Sequence, residues 1–528
     1  MTEPKTRPGQ RPRRRPKRIE LTLKTPSAPA SFFPATDAES VVVMTIGGIG
    51  AIGSNWTAYG HAGRWLLVDA GAGMPPKGVA GLQVVVPDPA ALKQMLGRLV
   101  AVVVTHAHYD HIGGLPALAP YLPKGTKVYA TKFAAECVRS QLERYHLDEH
   151  VDIRTFSPNS NLTLKSFTLT PIRVAHSSPE ALAFGISTPA GRVLHTGDWR
   201  IDEAPNVTWK TDLAAVARFA KGGLAAMVAD STCADRPSPA PSEQTITANF
   251  ARFLEGRRGL VVTACFSSHV DRVAGMIQAA ATAGRTVFVA GRSLLRTLEA
   301  ARETGILDER HAYETDLRNL ESLDPSRAML ICTGSQGEDN AILRRLADDD
   351  HSLPALEAGD CVVLSARVIP GNEEEVAVVA NAFRQAGIEV FMGEADGLPL
   401  HASGHASRPE IEAMLAAASP RLLIPVHGAG HHLAAHVDLA RAAGIAECAV
   451  PANGRALRVT GKTCEVLGTV ELRPMAGVLR NGRLVLKPLE VAVEEAIAAA
   501  QRAAAREEAR IVRSSQAIRE VRAPAPGR

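Results

Sequence analysis

One thirteen-residue stretch constrains this chain more than any other: VVVTHAHYDHIGG, residues 102–114. An apolar run with strand character delivers His106, His108, Asp110 and His111 into a loop that two glycines close. Imidazole and carboxylate are the donors that suit zinc or manganese. His106 and His108 stand at i,i+2, so an extended backbone can point both the same way. Asp110 and His111 can then face a second metal. Four side chains cannot complete two metal shells, so further ligands must come from elsewhere. His176 follows TPIRVA (170–175) and Asp198 follows VLHTG (193–197), both at strand ends where loops gather over an α/β site. Asp69, after WLLV, is placed to orient a histidine through its free ring nitrogen. His195 lies within a strand pattern and is assigned a buried, hydrogen-bonded place instead.

The surrounding pattern is α/β. Strands are expected at 41–48, 65–71, 99–105, 127–131, 167–175, 191–197 and 225–231, with helices at 88–98 and 132–146 between them. A second run follows, with strands at 259–265, 286–291, 328–334 and 361–366 and helices at 241–256, 269–283 and 293–304. Its continuous apolar strands suggest a mostly parallel sheet covered on both faces. After it come HASGHAS (401–407), a helix at 408–418 and LLIPVHG (422–428). From about residue 484 the chain turns Ala/Glu/Arg-rich and is expected to be helical.

Composition adds limits. A chain of 528 residues needs two or three domains. No apolar run is long enough to span a membrane and no signal-peptide pattern opens the chain. The seven cysteines are scattered without a C-x-x-C pair, as in a reduced, cytoplasmic protein. Residues 1–18 hold eight Lys/Arg against one Glu, so the overall charge of +4 is concentrated there. That arm either meets nucleic acid through its phosphates or is a solvated tail.

The motifs together carry a resemblance. THAHYDH, AHSS around His176 and HTGDWR around Asp198 resemble the metallo-β-lactamase fold. GGIGAIGSN (47–55), DSTCA (230–234), FSSHVDRV (266–273), TGSQGE (333–338), IPGNE (369–373), HASGHAS and IPVHG (424–428) are similar to the ribonuclease J family, β-CASP nucleases of that fold. The resemblance spans about residues 41 to 480. It implies a metallo-β-lactamase αβ/βα sandwich with an inserted parallel-sheet α/β β-CASP domain. The expected division is a disordered basic arm at 1–36, the first part of the metallo-β-lactamase domain at 37–240 and the β-CASP domain at 241–398. The returning part would occupy 399–483 and a helical tail 484–528.

The same resemblance implies a metal-dependent ribonuclease acting in RNA processing and decay, as a 5′→3′ exonuclease preferring 5′-monophosphate ends and as an endonuclease. Two divalent metals, Zn²⁺ or Mn²⁺, are implied for each chain. His106, His108 and His176 would hold one, and Asp110, His111 and His427 the other. Asp198 would bridge them. Asp230, His405 and His427 stand where the β-CASP motifs A, B and C stand. His405 then becomes the proton donor to the leaving 3′-oxygen and Asp110 an orienter of the attacking water. The small residues of HASGHAS let backbone N–H groups approach a phosphate, so His401, Ala402, Ser403, Gly404 and His405 form the expected substrate pocket.

Departures from the family pattern are Ala429 where Glu usually follows IPVHG, Arg367 within SARV (365–368), and Trp199 after TGD. The family's separate C-terminal domain, associated with assembly, is expected to be missing or reduced, which leaves homodimer and homotetramer open. Single-stranded RNA is the expected partner, with the ribosome or RNA-decay proteins as further ones. A DNA-directed β-CASP nuclease and a small-molecule metallo-hydrolase are the alternatives. The inserted α/β run argues against a compact hydrolase.

Overall fold

A computed structural model describes residues 32–369, 371–503 and 506. Most of the basic arm, Pro370 of IPGNE and the end of the C-terminal tail lie outside the described residues.

Strand alternation builds a sandwich. In Val41–Thr45, Val41 and Val43 point into one apolar cluster while Val42 and Met44 point into another. Leu66 and Val68 divide from Trp65 and Leu67 in the same way, as period-two geometry requires. Both faces are covered, so the strands read as unbroken apolar runs. The first sheet has eight strands, in the order Cys464–Thr469, Arg455–Val459, Val41–Thr45, Thr57–His61, Arg64–Val68, Leu99–Val103, Thr126–Ala130 and Val151–Thr155. The second has seven, with Gly191–His195, Ala226–Asp230 and Leu422–Val426 side by side and parallel at its centre. Phe184, Ile186, Val193, Val228 and Ile424 of the second sheet meet Val43, Tyr59, Val68 and Val103 of the first. Helices cover both outer faces, against Leu194, Met227 and Leu423 on one side and Leu67 and Val102 on the other.

Ala226–Asp230 and Leu422–Val426 are neighbours in that sheet, with Met227 opposite Leu423. Nearly 200 residues separate them in sequence. Much of the intervening chain forms a five-stranded, wholly parallel sheet: Thr286–Ala290, Ala328–Cys332, Val261–Ala264, Cys361–Leu364 and Glu389–Met392. One apolar cluster runs without a break from Phe133 and Val138 under the first sheet to Phe250, Val273, Leu298 and Ile331 of the inserted unit. The insertion is thus packed onto the sandwich through a shared core.

Two expectations need correction. The chain from 484 does not turn helical at once: Arg483–Pro488 is a strand, and helix begins at 489. It pairs with Pro474–Arg480 across Asn481 and Gly482, both at positive φ (51° and 76°). That is the Asn-Gly signature of a tight hairpin, legible in RNGR but outweighed by the Ala-rich stretch after it. Leu82–Pro87 joins this hairpin as a third strand. The helix expected over 88–98 is two short turns, Pro89–Leu92 and Lys93–Leu96, ended by Gly97. Among the described residues no helix is long and apolar enough to cross a membrane, and all seven cysteines are free.

Candidate metal centre

The strand Leu99–Val103 ends on the loop that carries Thr105, His106 and His108, and a single helical turn, Tyr109–Ile112, presents Asp110 and His111. The turn can sit so close to Asp69–Ala72 because Gly71 lacks a side chain. A Cβ there would meet the carbonyl oxygen of Asp110 at 1.5 Å. His176 follows Phe167–Arg173, Asp198 follows Gly191–His195, and His427 follows Leu422–Val426 at a positive φ of 54°.

The ring proton of each of three histidines is placed by a partner, which frees its other nitrogen as a lone pair. Asp69 Oδ2 accepts from His111 Nδ1 at 2.7 Å. The same oxygen accepts from the Thr105 hydroxyl at 2.7 Å, and Oδ1 accepts the Thr105 backbone N–H at 2.7 Å. With its own proton spent, Thr105 Oγ1 can only accept from His106 Nδ1, 3.0 Å away. One carboxylate therefore sets the tautomers of both His106 and His111. His176 Nδ1 donates to the Gly404 carbonyl at 2.7 Å.

The freed nitrogens converge in two groups. His106, His108, His176 and Asp198 bring ligand atoms within 4.8 Å of one another, and so do Asp110, His111, Asp198 and His427. Asp198 belongs to both. Its Oδ2 lies 3.8 Å from Nε2 of His106, 3.8 Å from Nε2 of His176 and 3.2 Å from Nε2 of His111. His427 Nε2 lies 3.0 Å from Asp110 Oδ2. His108 Nδ1 and His176 Nε2 face each other at 3.0 Å, and buried His106 Nε2 has no hydrogen-bond partner. An orphaned buried nitrogen is costly without a cation beside it. The donor set fits divalent metal.

Electrostatics divide the histidines: burial opposes a charge on His111 and His427, but Asp198 and Asp110 raise both well above the usual imidazole range. Burial holds His106 and His176 well below the usual imidazole range, and pushes His108 down to about 4, so all three stay neutral. Burial alone would raise Asp110 and Asp198, but the imidazoles of His111 and His427 outweigh it and hold both carboxyls low. Replacing Asp69 by Ala should lower metal affinity by about 10- to 100-fold, since two ligands lose their orientation together. Equilibrium dialysis against buffered Zn²⁺ measures it.

Asp230 holds the opposite wall. It accepts from His405 Nδ1 at 2.8 Å and from His427 Nδ1 at 3.0 Å, and also takes both the backbone N–H and the hydroxyl of Thr232. Burial opposes a charge on His405, but Asp230 raises its pKa above the ordinary value. The His405 ring stacks on that of His427, with centroids 5.3 Å apart. Asp198, Asp230, His405 and His427 also bring ligand atoms within 4.8 Å of one another. His195, as expected, is buried, with Nδ1 2.8 Å from the Tyr59 hydroxyl.

HASGHAS lies where expected but faces inward more than expected. Ala402 and Ser403 are buried. Ser403 Oγ accepts the His405 N–H at 3.3 Å and lies 3.4 Å from Cys233 Sγ. His401, Gly404 and His405 are half-buried. The small residues serve close approach of protein to protein: a Cβ on Gly404 would come within 2.9 Å of Ser177 Oγ and 3.0 Å of the His176 ring.

Sequence reasoning passed over Asn55, at the end of the quoted GGIGAIGSN, whose Nδ2 lies 3.1 Å from Asp110 Oδ2 and 3.0 Å from His111 Nε2. Asp235, His431 and His432 also cluster. There His432 Nδ1 accepts the Ala429 N–H at 3.2 Å, so a neutral ring keeps its proton on Nε2 and is spent as a ligand.

Fold and site define a metallo-β-lactamase-type hydrolase with a β-CASP insertion. Family models agree: "Beta-lactamase superfamily domain" matches residues 64–233, "Ribonuclease J, beta-CASP domain" 258–383, and "Zn-dependent metallo-hydrolase RNA specificity domain" 399–451. Ribonuclease J of Mycolicibacterium smegmatis is 36% identical over 382 residues, 72% of this chain and 67% of that one. Ribonuclease J of Sinorhizobium meliloti is 33% identical over 451 residues, 85% of this chain and 78% of that one. The chain belongs to the ribonuclease J family. A solved structure, a protein of unknown function from Enterococcus faecalis, shares the fold at a TM-score of 0.55 and 16% identity, covering 80% of this chain and 100% of that one.

Proposed function

We propose that this protein is a ribonuclease holding two divalent ions, Zn²⁺ or Mn²⁺, one in each donor group around Asp198. In this reading it degrades single-stranded RNA 5′→3′ from monophosphorylated ends and also cuts internally. The observation that carries the reading is the pair of converging donor groups, tautomers already set, sharing one buried carboxylate. Ions bound there would neutralise phosphodiester charge and acidify the attacking water.

The chain's own groups do the rest. Asp110, which has the most exposed carboxylate of the donor set, orients the water. Water attacks phosphorus, the bond from phosphorus to the 3′-oxygen breaks, and His405 gives that oxygen its proton. Asp230 raises the proton affinity of His405, which favours the protonated form that a general acid needs. The products are a 3′-hydroxyl and a new 5′-monophosphate, the same end that the next round would accept. His401, Gly404 and His405 form the accessible side of the phosphate pocket, with Ala402 and Ser403 behind them.

Matched RNAs bearing 5′-monophosphate, 5′-triphosphate or 5′-hydroxyl, beside DNA of the same sequence, test this. Mononucleotide release in Mn²⁺ or Zn²⁺ is expected to be fastest from monophosphate RNA. Equal rates on all three ends would remove the end preference, and faster cleavage of DNA would move the enzyme to DNA. The 2′-hydroxyl is the group such a comparison reads.

A further inference from the structure

Arg272 sits in the first turn of the helix Val270–Thr282 of the inserted domain and is among the largest fully buried side chains. Its Nε and Nη2 donate to the Glu243 carboxylate at 2.7 and 2.8 Å. Pairing with Glu243 leaves donors to spare, and these reach another segment. Nη1 donates to Ser365 Oγ at 2.6 Å and shares its other proton between the Leu400 carbonyl at 3.4 Å and His401 Nδ1 at 3.3 Å. Nη2 also reaches the Ala402 carbonyl at 3.3 Å. Only a planar fork of five N–H groups can hold a carboxylate and a peptide at once.

The peptide it holds is the entry to HASGHAS. From the other side, Arg200 donates to the Ser403 carbonyl at 2.8 Å. Arg200 also pairs with Asp202, and Asp202 accepts the backbone N–H of Glu243 at 3.1 Å. The carbonyls of residues 402 and 403 are thus held by two buried arginines joined through Asp202 and Glu243, and that of Leu400 by the Ser365 hydroxyl, at 2.6 Å, which Arg272 holds in turn. The next carbonyl, Gly404, accepts the His176 proton, and the next residue is His405.

We infer that Arg272 is a positioning residue through which the inserted domain sets the geometry of the metal centre, by holding residues 400–402 so that Gly404 orients His176 and His405 meets Asp230. This rests on the reading above of His176 as a ligand and His405 as the acid. A merely structural ion pair would stabilise the inserted domain without touching either group.

Arg272→Lys separates the two. An ammonium keeps the charge opposite Glu243 but cannot also span to Leu400 and Ala402. In the full chain, kcat on RNA is expected to fall about 10- to 100-fold with KM within about twofold. The affinity of metal-free protein for Co²⁺, followed by its visible absorption, should fall by a similar factor. Thermal stability lowered while kcat and Co²⁺ affinity stay within about twofold would overturn the inference. Should the lysine variant not fold, the uncharged pair Glu243→Gln with Arg272→Met carries the same readouts. Failure of both to fold decides for a structural role. Wild-type protein that binds Co²⁺ but leaves RNA intact would sink the ribonuclease reading instead, and the Co²⁺ comparison would still judge Arg272.

Discussion

Asp198→Asn is expected to lower kcat/KM on RNA by about 10⁴-fold or more, roughly 5 kcal/mol of transition-state stabilisation. Among the described residues no other carboxylate belongs to both donor groups, and its side chain is buried among His106, His111, His176 and His427. The amide keeps the shape but removes the negative charge that the two proposed cations would share. His106, His108 and His176 alone would then have to hold one ion, and only Asp110 would offer charge to the other, at a site where unpaired charge is expensive. Metal content measured by mass spectrometry should fall with activity. A variant that keeps its metal and cleaves within about tenfold of wild type would mean that Asp198 is not a shared ligand.

His405→Ala is expected to cost about 10² to 10⁴ in rate while metal content stays at the wild-type level. His405 already spends Nδ1 on Asp230, and Asp230 keeps two other partners, His427 and Thr232, when the imidazole is gone. Loss of the acid should matter most for a poor leaving group. RNA with a sulfur in place of the scissile 3′-oxygen, which leaves without a proton, should recover most of the loss. An unchanged rate on ordinary RNA would remove the proton-donor role. Loss of metal together with activity would make His405 a ligand, as its nearness to Asp198 and His427 allows.

Most donor residues were legible because they close apolar strands, the clearest signal in a sheet covered on both faces; His427 became a candidate only through the family resemblance. THAHYDH, His176, Asp198 and His427 all stand at such ends. The insertion was legible as a second run of strands and helices between Asp230 and Leu422. What escaped depends on contacts between distant segments. That Asp69 governs His106 as well as His111 follows only from seeing Thr105 between them. HASGHAS read as a phosphate pocket, and only the fold shows that Gly404 also admits His176 and Ser177 beside it. Arg200 and Arg272 were passed over because an isolated arginine in a sequence reads as surface, and only the fold shows its donors spent indoors. The C-terminal hairpin was missed for a local reason, the pull of an Ala-rich composition over an Asn-Gly turn.

The proposed hydrolysis of RNA depends on two metal ions held around Asp198. One titration tests it: strip the protein with chelator, restore Zn²⁺ or Mn²⁺ stepwise, and follow bound metal and cleavage of 5′-monophosphate RNA in the same samples. The stripped protein is expected to leave RNA intact, and activity to rise to a plateau at two ions per chain. Cleavage that survives stripping, or two bound ions with RNA left intact, would contradict it.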